Sequence, residues 1–213
     1  MTSKAVLSAQ DHARIAEAIN NAEKSTSGEI YCVVARKSDD YFFPAAFFCS
    51  LAIIIAMVPA AYVTASRWDP PHHMVLPVAG VAALVSALLL LRFAPALRIN
   101  FVPRYLRFRR ASANAVSQFL SHNIHVTENR TGVLIFVSLA ERYGEIVADS
   151  GINKKVEQNI WDSIIGDLTA SAAENRLAEG YVQAIKAVGQ VLTQHFPANP
   201  GDRNELTDHL VEI

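Results

Sequence analysis

Residues 41–91 read YFFPAAFFCSLAIIIAMVPAAYVTASRWDPPHHMVLPVAGVAALVSALLLL, and they decide how the chain is put together. Arg67 and Asp69 are the only charges in these 51 positions. Tyr41 to Ser66 is 26 residues without a charge, and Pro70 to Leu91 is 22. A helix needs about 20 apolar residues to cross a hydrocarbon core of about 30 Å. Between the two runs, Arg67-Trp68-Asp69-Pro70-Pro71-His72-His73 is a short, proline-broken reversal, and Trp68 suits a membrane interface. Pro44, Pro59 and Pro77 would kink the helices, which membrane segments tolerate. The stretch predicts a two-helix transmembrane hairpin over 41–91. A buried soluble hairpin is the alternative, and the length and charge-free character of both runs argue against it.

The rest of the chain reads differently. Its 37 remaining charges fall on 162 positions, the proportion of an ordinary soluble domain. With the apolar piece set aside, about 150 residues remain, enough for one hydrophobic core. This pattern excludes a purely soluble enzyme, a disordered chain and a disulfide scaffold. A net charge of −1 provides no global field to recruit nucleic acid. Cys32 lies in an expected buried strand and Cys49 in the apolar run, so a disulfide between them is not expected. Met1 to Ala22 lacks an apolar core and carries Asp11 and Glu17, so no cleaved signal peptide is expected.

Basic residues set the expected orientation. Lys24, Arg36 and Lys37 precede the first apolar run. Arg92, Arg98, Arg104, Arg107, Arg109 and Arg110 follow the second, with no acid before Glu128. Only Arg67 lies between the runs, so the positive-inside rule places both outer ends in the cytoplasm. The arginines of the 92–110 segment are interleaved with Phe101, Tyr105, Leu106 and Phe108, as expected of a juxtamembrane segment lying on anionic head groups. Position beside an apolar run explains them better than nucleic-acid binding does.

The soluble residues form one pattern when read across the insertion. Ser8 and Asp11 make a capping-box-like start, and Ile15, Ala18, Ile19 and Ala22 give one helical face. Ser25 to Gly28 ends that helix. Glu29 to Arg36 (EIYCVVAR) and Gly132 to Ala140 (GVLIFVSLA) are apolar on both faces, as central strands are. Ala113, Val116, Phe119 and Leu120 mark a helix between them. Glu141 to Gly144 turns into a third strand, Glu145 to Asp149, broken by Ser150-Gly151. Two helices follow, one striped with Val156, Ile160, Trp161, Ile164, Ile165 and Leu168. The other carries Leu177, Tyr181, Ala184, Ile185, Val188 and Leu192. From Pro197 onward a loosely structured tail is expected. The fold class is therefore α/β, a small mixed sheet covered by helices and interrupted by the hairpin. The expected divisions are 1–40 and 111–198 for the two parts of the domain, 41–91 for the hairpin, 92–110 for the basic segment and 199–213 for the tail.

No phosphate-binding glycine loop, C-x-x-C, H-E-x-x-H or G-x-S-x-G is present. His122 and His125, with Glu128 near, have a metal-like spacing but lack a fourth ligand, and surface histidines at a helix end are the commoner case. His72 and His73 follow two prolines, where solvated turn residues are usual. The richest cluster is Glu141-Arg142 with Glu145 and Asp149-Ser150-Gly151. Asp149 at a strand end is a candidate hard-cation ligand, but a cap for a helix starting near Asn153, or an exposed acidic turn, is the commoner case.

Leu7-Ser8-Ala9-Gln10, Gly28-Glu29-Ile30, Thr127 to Ile135 (TENRTGVLI), Ile146 to Ile152 (IVADSGI) and the Trp161 helix together resemble the TPM domain family. His195-Phe196-Pro197 and Asn204-Glu205-Leu206 resemble its bacterial membrane subgroup, in which a transmembrane hairpin interrupts the domain. The resemblance covers about residues 5–40 and 111–210. It implies an α/β sandwich and, as in some members, acid-phosphatase activity with bound calcium. Many members carry Gly-aromatic-Gly where this chain has Ala148-Asp149-Ser150-Gly151, and only Asp149 matches an inherited acidic site by position. Two functional expectations follow. In the first, a multi-pass protein of a bacterial inner membrane, with cytoplasmic termini, uses its domain to bind a protein partner or head group in membrane or envelope maintenance. In the second, it is a metal-assisted phosphatase using calcium or magnesium. Asp149 and Glu141 would act there with Arg142 or Arg130 on the phosphate, and Glu128 nearby.

Overall fold

β1 (Glu29–Ala35) is buried along its whole length, as a strand apolar on both faces must be. In the computed structural model, which describes residues 5–67, 74–127, 130–198 and 206–213, it pairs in parallel with β2 (Gly132–Ser138) from Glu29↔Gly132 to Ala35↔Ser138. β3 (Tyr143–Ala148) returns antiparallel along β2, with Ser138 opposite Tyr143 and Val133 opposite Ala148. A fourth strand was not expected. β4 (Leu210–Glu212) lies parallel to β1 on its other edge, with Leu210 opposite Cys32, and gives the order β3-β2-β1-β4. The end of the expected tail is thus an edge strand, and Pro197 also bridges to Thr26.

Helices cover both faces of this sheet. On one face lie α1 (Ala9–Glu23), α6 (Gln158–Ala173) and α7 (Leu177–His195), packing Ile15, Ile19, Trp161, Leu168, Tyr181 and Val188 onto Cys32, Val34, Ile135 and Ile146. The capping box of α1 is formed, with Asp11 N–H donating to Ser8 Oγ and Ser8 N–H donating to Asp11. On the other face, Ala111, Ala115 and Phe119 of α4 (Arg104–Ser121) are buried, the latter two packing over Tyr31, Val33 and Phe136. The expected face of α4 is corrected here. Val116 and Leu120 are exposed, because two alanines one helical turn apart let the backbone approach the sheet more closely than branched side chains would.

The chain divides into two units, Met1–Ser38 with Phe108–Ile213, and Asp39–Arg107. The second holds α2 (Phe42–Arg67) and α3 (Val75–Phe93), both long and apolar enough to cross a membrane. They pack on each other where Gly80 of α3 leaves room for the Met57 side chain; a Cβ there would lie 2.5 Å from its sulfur. None of the apolar window of α2 is buried, and only 6% of that of α3. A soluble core hairpin would be covered, and this pair is not. A short α5 (Ser150–Asn153) and two 3₁₀ turns complete the described elements.

Candidate functional site

Ligands in α/β sheets sit outside the carboxyl ends of parallel strands. There, Ser38 follows β1, Ser138 ends β2, and Glu141 and Arg142 turn the chain into β3. Glu141 is 2% exposed. One of its oxygens accepts Ser38 N–H at 3.0 Å, and the other accepts the Ser138 hydroxyl. The two serine hydroxyls are 2.9 Å apart, and Asn114 of α4 donates to Ser38 Oγ at 3.3 Å. Both carboxylate oxygens therefore staple the exit of β1 to the end of β2. Arg142 sits at φ 50 in the turn, exposed, with its N–H on Leu139 O at 3.1 Å. Beside it, a cavity of about 340 Å³ is lined by Ser138, Arg142, Tyr143, Thr169 and Asn175 among others. Tyr143 donates its hydroxyl to Glu145 at 3.1 Å. Burial, and then the Glu145 charge, push that phenol up to about 12, so it remains a donor across the neutral range.

Asp149 lies at the other end of β2. Its N–H donates to Gly132 O at 2.9 Å, and its side chain accepts Ser150 N–H as the N-cap of α5. The cap reading is the one the geometry supports, with the helix starting at Ser150 rather than near Asn153. Asp149 Oδ2 is buried, with no hydrogen-bond partner among the described residues. Arg130, at φ 52, is exposed in the turn before β2, with its N–H on Thr127 O at 3.0 Å. Glu128 lies outside the described residues, as do His72 and His73.

A seven-residue strand rising about 3.3 Å per residue spans roughly 20 Å. Asp149 and Arg130 are thus a sheet-length away from Glu141 and Arg142. The grouping expected from nearness in sequence is corrected: in an antiparallel hairpin, residues on either side of the second strand end at opposite ends of the sheet. His122 is also taken, its Nδ1 3.0 Å from the Tyr31 hydroxyl. Among the described residues, no group of three His, Cys, Asp or Glu side chains is placed to hold a metal ion.

Residues 97–191 match the TPM domain family. The chain is similar to the TPM domain over this segment, which is less than half of its length. Its fold is shared, over 100% of both chains, with the solution structure of the BA42 protein from the psychrophilic bacterium Bizionia argentinensis, at a TM-score of 0.61 and 20% identity. No curated protein matches the sequence.

The TPM match begins one residue before Arg98, which does not lie free for lipid. Arg98 is 6% exposed, and its guanidinium donates to Leu91 O at 2.8 Å and to the Asp40 carboxylate. It also stacks over Phe42 at 5.3 Å. This corrects the expected head-group contact: Arg98 satisfies a carbonyl at the end of α3, which a helix C-terminus leaves without an internal donor. Arg92, Arg104, Arg109 and Arg110 are exposed, and Arg107 is half-buried.

Two acidic sites outside the TPM match were not foreseen. Glu212 of β4 accepts Val6 N–H at 2.8 Å, Leu7 N–H at 3.0 Å and His12 Nε2 at 3.0 Å. Burial alone would raise its carboxyl; these three partners outweigh it and hold it below its ordinary value. Glu23, at the end of α1, accepts Ile30 N–H at 2.8 Å. Neither shows in sequence, because each depends on where β4 docks.

Proposed function

We propose that the protein is a membrane-anchored TPM domain acting as a binding module. It would sit in a bacterial inner membrane with both termini in the cytoplasm, serving membrane or envelope maintenance by engaging a protein within the bilayer. The observation that carries this reading is the separation of the candidate residues. Glu141 is consumed as a staple at one end of the sheet, and Asp149 caps a helix at the other. The exposure of α2 and α3 supports a lipid surround, since apolar helices of this length have no stable place in water. The excess of arginines after α3 supports the cytoplasmic placement, and exposed Arg92, Arg104, Arg109 and Arg110 are the residues to meet anionic head groups.

The phosphatase alternative is tested with it. The full chain in nanodiscs is assayed at acid pH with p-nitrophenyl phosphate and calcium or magnesium. No turnover above the protein-free blank is expected. Turnover that disappears in Asp149→Asn would overturn the reading and place a cation at Asp149. An exported reporter signal from a fusion after Ile213 would overturn the placement of the termini.

A further inference from the structure

The amino end of β1 holds a half-buried glutamate that plays no part in either end of the candidate site. Glu23 turns back from α1, and its Oε1 accepts Ile30 N–H. That N–H points to the same edge as Arg36 N–H, which donates to Ile213 O at 2.9 Å, since backbone groups alternate along a strand. β4 pairs only with Cys32 to Val34, so the Glu23 carboxylate occupies the stretch of edge that β4 does not reach.

Glu23 Oε2 is buried, and no donor among the described residues reaches it. Among the described residues, the groups facing Glu23 are Glu29 of β1 and Asp208 of the segment entering β4, with the Cys32 thiol beneath. All are acids. Asp208 accepts from Asn20 of α1 at 3.0 Å, and Glu29 accepts Leu206 N–H at 3.3 Å. On the other face of the sheet lie Tyr31, His122 and His209, and Glu212 with His12 ties the far end of β4. Two carboxylates facing each other are both acceptors, and only a proton on one of them turns the contact into a hydrogen bond.

We propose that Glu23 is a proton-operated latch on the C-terminal strand: protonated, it bridges Ile30 and Asp208 and holds residues 206–213 against β1; ionised, it repels Asp208 and Glu29 and loosens that strand. Burial first, then Glu29 and Asp208, raise its carboxyl to about 8, against the pull of the Ile30 N–H. The sign follows from this rise. The closed strand has its full advantage below the ordinary carboxyl value of 4.5, loses it as the pH climbs toward about 8, and loses no more above that.

Hydrogen exchange on the full chain in detergent micelles tests the latch between pH 5 and 9, with protection corrected for intrinsic rates. Protection of residues 206–213 is expected to fall at least about tenfold, a decade for each unit separating the closed and open values of Glu23. Protection of β2 should stay level. Glu23→Gln keeps an oxygen for Ile30 and gains an amide donor for Asp208, so its strand should stay closed at pH 9. Should that variant lose β2 protection, Asp208→Asn, which supplies the donor from the other side, must flatten the profile in its place. His12→Gln should retain the fall. A level profile in the unaltered chain, an unchanged fall in Glu23→Gln with β2 intact, or loss of the fall in His12→Gln would overturn the proposal.

Discussion

Glycine at position 132 is fixed by a neighbour's backbone. A Cβ there would lie 2.2 Å from Ile124 O, at the point where the 3₁₀ turn Ile124–Val126 crosses the start of β2. Backbone cannot rotate away as a side chain can, so Gly132→Ala should cost about 3 kcal/mol in chemical denaturation, at the upper end for overpacked sites. Gly166 is the contrasting case. It lies inside α6, and a Cβ there would meet nothing within 4 Å. Gly166→Ala should therefore raise stability by about 1 kcal/mol through helix propensity alone. Glu141→Ala would leave Ser38 N–H and the buried Ser138 hydroxyl without their acceptor, a loss of about 2 kcal/mol read by the same measurement. At this scale the sequence identified Glu141 and Asp149 as unusual but not why. Their environments come from residues about a hundred positions away in one case and from a cap in the other, and spacing carries neither.

Elements were legible where burial is two-sided. β1 and β2 are apolar on both faces and announce themselves; α6 and α7 do so by their stripes, with Trp161, Ile164, Leu168, Tyr181, Ala184, Ile185, Val188 and Leu192 all buried. β4 was not legible. It is three residues long after a polar stretch, and it is held by distant partners: the edge of β1, and the clamp of Glu212 on Val6, Leu7 and His12. That clamp carries its own pH dependence. The Glu212 carboxyl is lowered, so its stabilisation is present above the ordinary value of 4.5 and is lost as the pH falls through the lower native value. Glu212→Gln should therefore destabilise the fold at neutral pH and flatten the acid limb of an unfolding titration. Loss of the acid limb at neutral-pH stability equal to the unaltered chain would contradict the assignment. The opposite sign at Glu23, where stability is lost on the alkaline side, sets the two ends of β4 apart.

On the scale of the whole chain, the charge-poor stretch 41–91 lies inside a separate unit, Asp39–Arg107, which also takes in arginines of the basic segment and sits in sequence between two segments of one α/β sandwich. The joint is compact within the sandwich: Asn114 donates to Ser38 Oγ, and the six steps from Phe108 to Asn114 rise only about 9 Å along a helix. A flexible linker of about six residues in place of 39–107 should therefore leave the sandwich folded. In the proposed function, α2 and α3 hold this domain in a lipid bilayer. Alkaline carbonate extraction of membranes from cells expressing the full chain, beside the linker variant, tests it most directly. The full chain is expected in the membrane pellet and the linker variant in the supernatant; release of the full chain into the supernatant would rule out the bilayer anchor.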